Sequence, residues 1–70
     1  MSNIGSKTVM IKLYLYDKST LYFLREDVGH PQYVVKDIPE YLDFTLTPPP
    51  DYFQPYRWID NKWVADNTAN

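Results

Sequence analysis

The chain has no cysteine among its 70 residues, so neither a disulfide nor a thiolate metal site can staple the fold. A domain this short buries only about 60% of the surface its unfolded chain exposes, so a modest stability margin is expected. There is one histidine, His30. It stands beside Pro31 with no other ligand-type side chain clustered around it, and reads as an exposed loop residue rather than a base or a metal ligand. Basic runs are also missing: seven Lys and Arg are set against nine Asp and Glu, for a net charge of −2. Binding nucleic acid requires clustered cations that displace counterions, so no nucleic-acid partner is expected. The acidic residues are scattered too, which argues against a mimic of DNA. No apolar stretch approaches the ~18–20 residues of a membrane span, and residues 2–8 lack a charged segment followed by an apolar core. No membrane association is expected, and synthesis in the cytosol is. A phosphate-cradling glycine loop, an internal repeat and a long amphipathic helix are all absent from the pattern.

What the chain has instead is aromatic: seven Tyr, three Phe and two Trp. Each ring buries a large area for few residues, so the rings are expected first in a core or on a sheet, and only second as a ligand platform. The organising stretch is Pro55-Tyr56-Arg57-Trp58-Ile59-Asp60-Asn61-Lys62-Trp63-Val64. Asp60 and Asn61 both tolerate the positive φ of tight hairpin turns. A two-residue turn there pairs Ile59 with Lys62 and Trp58 with Trp63. Two indoles meeting across a hairpin stabilise it by roughly 0.2–1 kcal/mol. An isolated hairpin is marginal in water, so this one needs a sheet to dock on.

The earlier chain is expected to supply that sheet. Residues 9–16 alternate, with Val9, Ile11, Leu13 and Leu15 on a core face and Met10, Lys12, Tyr14 and Tyr16 on a face open to solvent or a partner. Asp17-Lys18-Ser19 forms a turn and residues 20–25 a returning strand. Residues 26–31 read as loop, because Gly29 permits unusual φ and Pro31 forces His30 out of the helical region. Residues 32–36 predict a third strand. Residues 37–42 predict either one helical turn capped by Asp37, with Pro39 early in it, or an irregular connection. Residues 43–47 alternate as a short strand that Pro48-Pro49-Pro50 ends. The prolines read as a stiff spacer in preference to a recognition ligand. Tyr52 and Phe53 then lie over the sheet or over the prolines. The sum is a mainly β fold, a small antiparallel sheet of hairpins with four to six short strands and at most one short helical turn. It occupies residues 9–64, between flexible tails at 1–8 and 65–70. Met10 is a second candidate start, and the sequence leaves open whether the residues before it are native.

Chemistry is sparsely signalled. Asp37, Glu40 and Asp43 are close in sequence, and Asp60 and Asp66 lie near the hairpin, but none has an apolar setting that would raise its pKa. Oxygen ligands at a regular loop spacing are missing. No catalytic residue, metal site or cofactor is therefore expected, and binding is the stronger class. Alternation puts Tyr56 and Trp58 on one hairpin face, where Trp63 joins them. With Tyr52 they could receive the apolar faces of sugar rings. The preferred alternative is that this face packs on the first hairpin.

Residues 10–20, Met10-Ile11-Lys12-Leu13-Tyr14-Leu15-Tyr16-Asp17-Lys18-Ser19-Thr20, resemble the opening of small tailed-phage proteins. In those, a strand runs into a Tyr-Asp-Lys-Glu-Thr-like turn and a second strand. Phe44-Thr45-Leu46-Thr47-Pro48-Pro49-Pro50 followed by Trp58-Ile59-Asp60-Asn61-Lys62-Trp63 resembles their closing pattern of a Thr-x-x-Pro-Pro segment and a turn leading to tryptophan. Residues 28–41 have no counterpart in that pattern. Such modules occur in tail-fibre and tail-fibre-assembly proteins of phages and prophages. The resemblance implies a non-enzymatic structural or adaptor protein that contacts other phage tail proteins, often in trimeric structures. Its place would be the virion tail, or the host cytoplasm during assembly. The working surface would be Tyr52, Tyr56, Trp58 and Trp63, with Tyr14 and Tyr16. Alternatives are a tail-fibre assembly chaperone, a small carbohydrate-binding module using the same aromatics, and an inhibitor of a host enzyme.

Overall fold

The computed structural model describes residues 9–66, and the expectations for residues 1–8 and 67–70 lie outside them. Strand β1 (Ile11–Asp17) runs through the middle of a three-stranded antiparallel sheet, flanked by β2 (Phe23–Gly29) and β3 (Leu42–Thr45). Between β2 and β3 lies one short helical turn, α1 (Pro31–Val34). A separate two-stranded ladder joins β4 (Tyr56–Ile59) to β5 (Lys62–Ala65). The fold is thus mainly β, with five strands in two antiparallel sheets.

β1 is buried on both faces, and this organises the molecule. Leu13 and Leu15 are fully covered, and with Val34 and Leu42 they form an aliphatic core that Ile11, Ile38 and Phe44 complete. Tyr14 and Tyr16 point the other way and are buried as well. Their face is therefore neither solvent nor docking surface, as alternation alone allowed, because Phe23 packs against Tyr14 and the terminal hairpin against Tyr16. Val9, expected on the core face, lies before β1 and is exposed.

The β1–β2 turn is tied down by one side chain. The Asp17 carboxylate accepts from the Ser19 and Thr20 amides at 2.8 and 3.0 Å, and from the Ser19 hydroxyl at 2.6 Å. These bonds favour its ionised form and lower its pKa. Leu21 closes the loop with φ of 70°, a left-handed conformation uncommon for a residue with a Cβ. Its carbonyl accepts from the Trp58 amide at 2.9 Å, and Tyr22 bridges to Arg57. The unusual backbone thus aims the start of β2 at β4.

Two expectations are corrected by tertiary context, and one open alternative is decided. β2 runs on to Gly29, where a loop was expected from residue 26, because Glu26, Asp27 and Val28 pair with Tyr14, Leu13 and Lys12 of β1. Charged residues are tolerated there because β2 is an edge strand. Residues 32–36 are not a strand. Pro31, with φ preset for a helix and no amide to leave unbonded, opens α1, and the turn directs Val34 into the aliphatic core. A Cβ on Gly29 would meet the Val34 Cβ at 3.0 Å, so the close approach of α1 to β2 requires glycine there. Residues 35–41 form the irregular alternative rather than a capped helical turn, and β3 begins at Leu42.

Candidate binding surface

The terminal hairpin forms with the expected register: Trp58 faces Trp63 and Ile59 faces Lys62. Asp60 and Asn61 carry φ of 54° and 63°, the pattern of a type I′ turn, whose twist matches that of the flanking strands. The two indoles lie 4.9 Å apart at 61°. Tyr16 stacks on Trp58 at 6.2 Å and meets Trp63 edge-on at 6.1 Å. Phe23 adds an edge contact to Trp63 at 5.5 Å and a tilted one to Tyr14 at 6.5 Å. Tyr52 lies over Phe23 at 5.7 Å. The Trp63 indole N–H donates to the Thr47 carbonyl at 2.7 Å, which fastens the hairpin to the segment entering the prolines.

This geometry sorts the six aromatics proposed from the sequence. Tyr14, Tyr16 and Tyr56 are buried, Trp58 and Trp63 are half-buried, and Tyr52 is 57% exposed. The face carrying Tyr56, Trp58 and Trp63 is turned onto the three-stranded sheet. A sugar-stacking platform needs ring faces that are open and near coplanar, whereas Trp58 and Trp63 meet at 61° and are already packed against Tyr16 and Phe23. Burial and the neighbouring Asp43 carboxylate raise the Tyr16 pKa, so its phenol stays protonated. Around the hairpin's outer end, the Tyr22 hydroxyl donates to Asp66, whose carboxylate lies 3.9 Å from Arg57. Arg57 itself lies 5.5 Å from the centre of the Tyr22 ring. The hydrogen bond to Asp66 is the main cause of a raised Tyr22 pKa.

The most exposed aromatic ring among the described residues is elsewhere, Phe53 on the loop at residues 48–55. Pro49 is buried and roots one end. Asp51 organises the turn: its Oδ1 accepts from the Phe53 amide at 3.0 Å, and its Oδ2 accepts from the Tyr56 hydroxyl at 3.1 Å. The Gln54 side-chain amide donates to the same hydroxyl at 3.0 Å. Phe53, at the tip, is 94% exposed. It lies over neither the sheet nor the prolines. Its sequence signal was Asp51 two residues earlier, an Asx-turn former between prolines.

The described residues enclose no ligand-sized cavity, and among them no group of three His, Asp or Glu could hold a metal ion. His30 is exposed, with its ring 5.6 Å from that of Tyr33. No helix among the described residues is long and apolar enough to cross a membrane. Compared with protein-family models, with curated proteins and with solved structures, the chain matches none.

Proposed function

We propose that this chain is a non-enzymatic protein-binding module, working as a structural or adaptor protein in the tail of a tailed phage or prophage. The observation that carries the binding reading is Phe53, a phenyl ring 94% exposed on a loop held by three hydrogen bonds and framed by prolines. Burying such a side chain gains about 1.5–3 kcal/mol. A loop already ordered in the free protein loses little entropy on binding. Aromatic anchors seated in a partner's pocket are the usual centres of protein interfaces. Phe53, with Tyr52 beside it, fits that role better than the hairpin rings, which are engaged with one another.

The tail setting is supported by the resemblance of residues 10–20, and of residues 44–50 with 58–63, to small tailed-phage proteins. In the fold these segments touch: Tyr16 stacks on Trp58, and Trp63 binds the Thr47 carbonyl. The segments that carry the resemblance therefore form one packing unit. The partners are other tail proteins, and the protein works in the virion tail or, during assembly, in the host cytoplasm.

Co-expression with a tail-fibre protein of the same phage or prophage, followed by size-exclusion chromatography, tests the proposal. A complex with the native chain that Phe53→Ala loses, at an unchanged unfolding midpoint, is the expected result. A complex indifferent to Phe53→Ala removes the loop from the interface. Failure to bind any tail protein removes the setting. Particles that lack the protein after assembly on the fibre would make it a chaperone.

A further inference from the structure

The outer edge of β2 is the longest unpaired strand edge among the described residues. β1 takes its inner side, from Ile11 against Gly29 to Leu15 against Arg25. β4 makes its backbone bond and bridge to Leu21 and Tyr22, ahead of the strand, though it also lies close to β2 itself. Nothing pairs with the outer side from Leu24 to Gly29 among the described residues. Free edges invite another chain and are commonly blunted by charge. Here three charges stand in a row, Arg25, Glu26 and Asp27.

Their order is complementary to itself. In an antiparallel pairing with a second copy about a two-fold axis at Glu26, each Arg25 stands opposite the other copy's Asp27. Leu24 then faces Val28 of the second copy, on both sides of the axis, and these residues are 50% and 55% exposed. Glu26 meets its own equivalent, but in each copy Lys12 stands 3.5 Å from that carboxylate. Moving the axis by one residue sets Arg25 on Arg25, or Asp27 on Asp27. Only the register at Glu26 matches unlike charges with each other and apolar residues with each other. The ion pair within one copy, Arg25 to Asp27 at 4.0 Å with both half-exposed, is too long and too solvated to hold the charges back.

We propose that β2 is a self-association edge through which two copies join their three-stranded sheets into one sheet of six strands. The contact is isologous and closes at two copies. It is independent of Phe53 and of the tail setting.

Light scattering at rising concentration, up to about 1 mM, covers the weak end of specific association. The native chain is expected to reach the dimer mass. Arg25→Asp and Asp27→Arg each put like charges opposite one another at both symmetry-related positions, and each raises the dissociation constant roughly tenfold or more. An equimolar mixture of the two variants restores unlike pairs and recovers the dimer mass, as does the double variant with both substitutions. All these residues are exposed or nearly so, and aromatic circular dichroism verifies that the fold survives. A native chain that stays monomeric or forms a trimer overturns the proposal. So do single variants that associate like the native chain, or a folded mixture that fails to recover.

Discussion

Replacing Trp63 by alanine tests whether the aromatic layer is a core or a decoration. Trp63 touches Tyr16, Phe23 and Trp58 with ring centroids 4.9–6.1 Å away, and its N–H binds the Thr47 carbonyl. Truncating a buried aromatic to alanine costs about 3–5 kcal/mol. Trp63 is half-buried, which puts the expected loss at the low end, about 3 kcal/mol. The freed Thr47 carbonyl adds little, because Thr47 is exposed and water replaces the indole. A domain of this size has about 4–10 kcal/mol of total stability, so the variant loses a large share of it. The melting temperature should fall by about 12 °C or more. Urea unfolding followed by the remaining Trp58 fluorescence measures the loss, and amide exchange in β4 and β5 locates it. Phe53→Ala is the matched control: at 94% exposure it should change stability by less than about 0.5 kcal/mol. If the two variants prove equally stable, the hairpin is not held by its aromatic face and the account of the core fails.

Two further predictions address the turn and the phenols. Asn61, at φ of 63°, occupies the second central position of a type I′ turn, where glycine is preferred; Asn61→Gly should stabilise by about 0.5 kcal/mol in thermal unfolding, and a loss instead would count against that turn. Tyr16, Tyr22, Tyr52 and Tyr56 all have pKa values raised above 10.0 by the fold, through burial, or for Tyr22 chiefly through its hydrogen bond to Asp66. Folding favours their protonated forms, so their contribution is complete below the unfolded value of 10.0 and is lost as pH rises through the higher folded values. Urea midpoints should therefore fall on the alkaline side, with a shallower fall in Tyr16→Phe, and a flat profile would contradict the shared direction of the four shifts.

Local chemistry made some elements legible in the sequence. Asp60 and Asn61 specify both the turn and the register of β4 and β5, since two central residues at positive φ leave one pairing for Trp58 and Trp63. Leu13 and Leu15 were legible for the same reason: strict alternation over a long strand fixes which residues share a face. The misread segments are those that tertiary contacts decide. The charges of residues 26 and 27 look like loop until seven-residue β1 offers them a backbone to pair with. Tyr33, Val34 and Val35 have strand propensity, yet Pro31 and the space beside Gly29 make a helical turn of the first two. The exposure of Phe53 is a property of the Asp51 turn and could not be separated from Tyr52 by pattern alone.

A chain rich in surface-capable aromatics invites the idea that they are its binding site, and burial divides them differently. β1 has an aliphatic face and an aromatic face, and each needs its own cover. In a chain of 70 residues, Tyr14, Tyr16, Phe23, Trp58 and Trp63 are used to give the sheet its second core. Among the residues that core does not need are Phe53 and Tyr52 on their pinned loop and those of the free edge of β2, the two surfaces proposed for recognition. The two surfaces call for different partners. A projecting ring fits a pocket on an unlike protein, whereas a strand edge with self-complementary charges fits another copy. A protein that bound its target through Phe53 while paired along β2 would present two rings at once, and its apparent affinity for a repetitive target would exceed that of a single loop. Phe53→Ala and Arg25→Asp should then act separately. The first removes target binding from monomer and dimer alike, and the second lowers only the added affinity gained on a target with repeated sites.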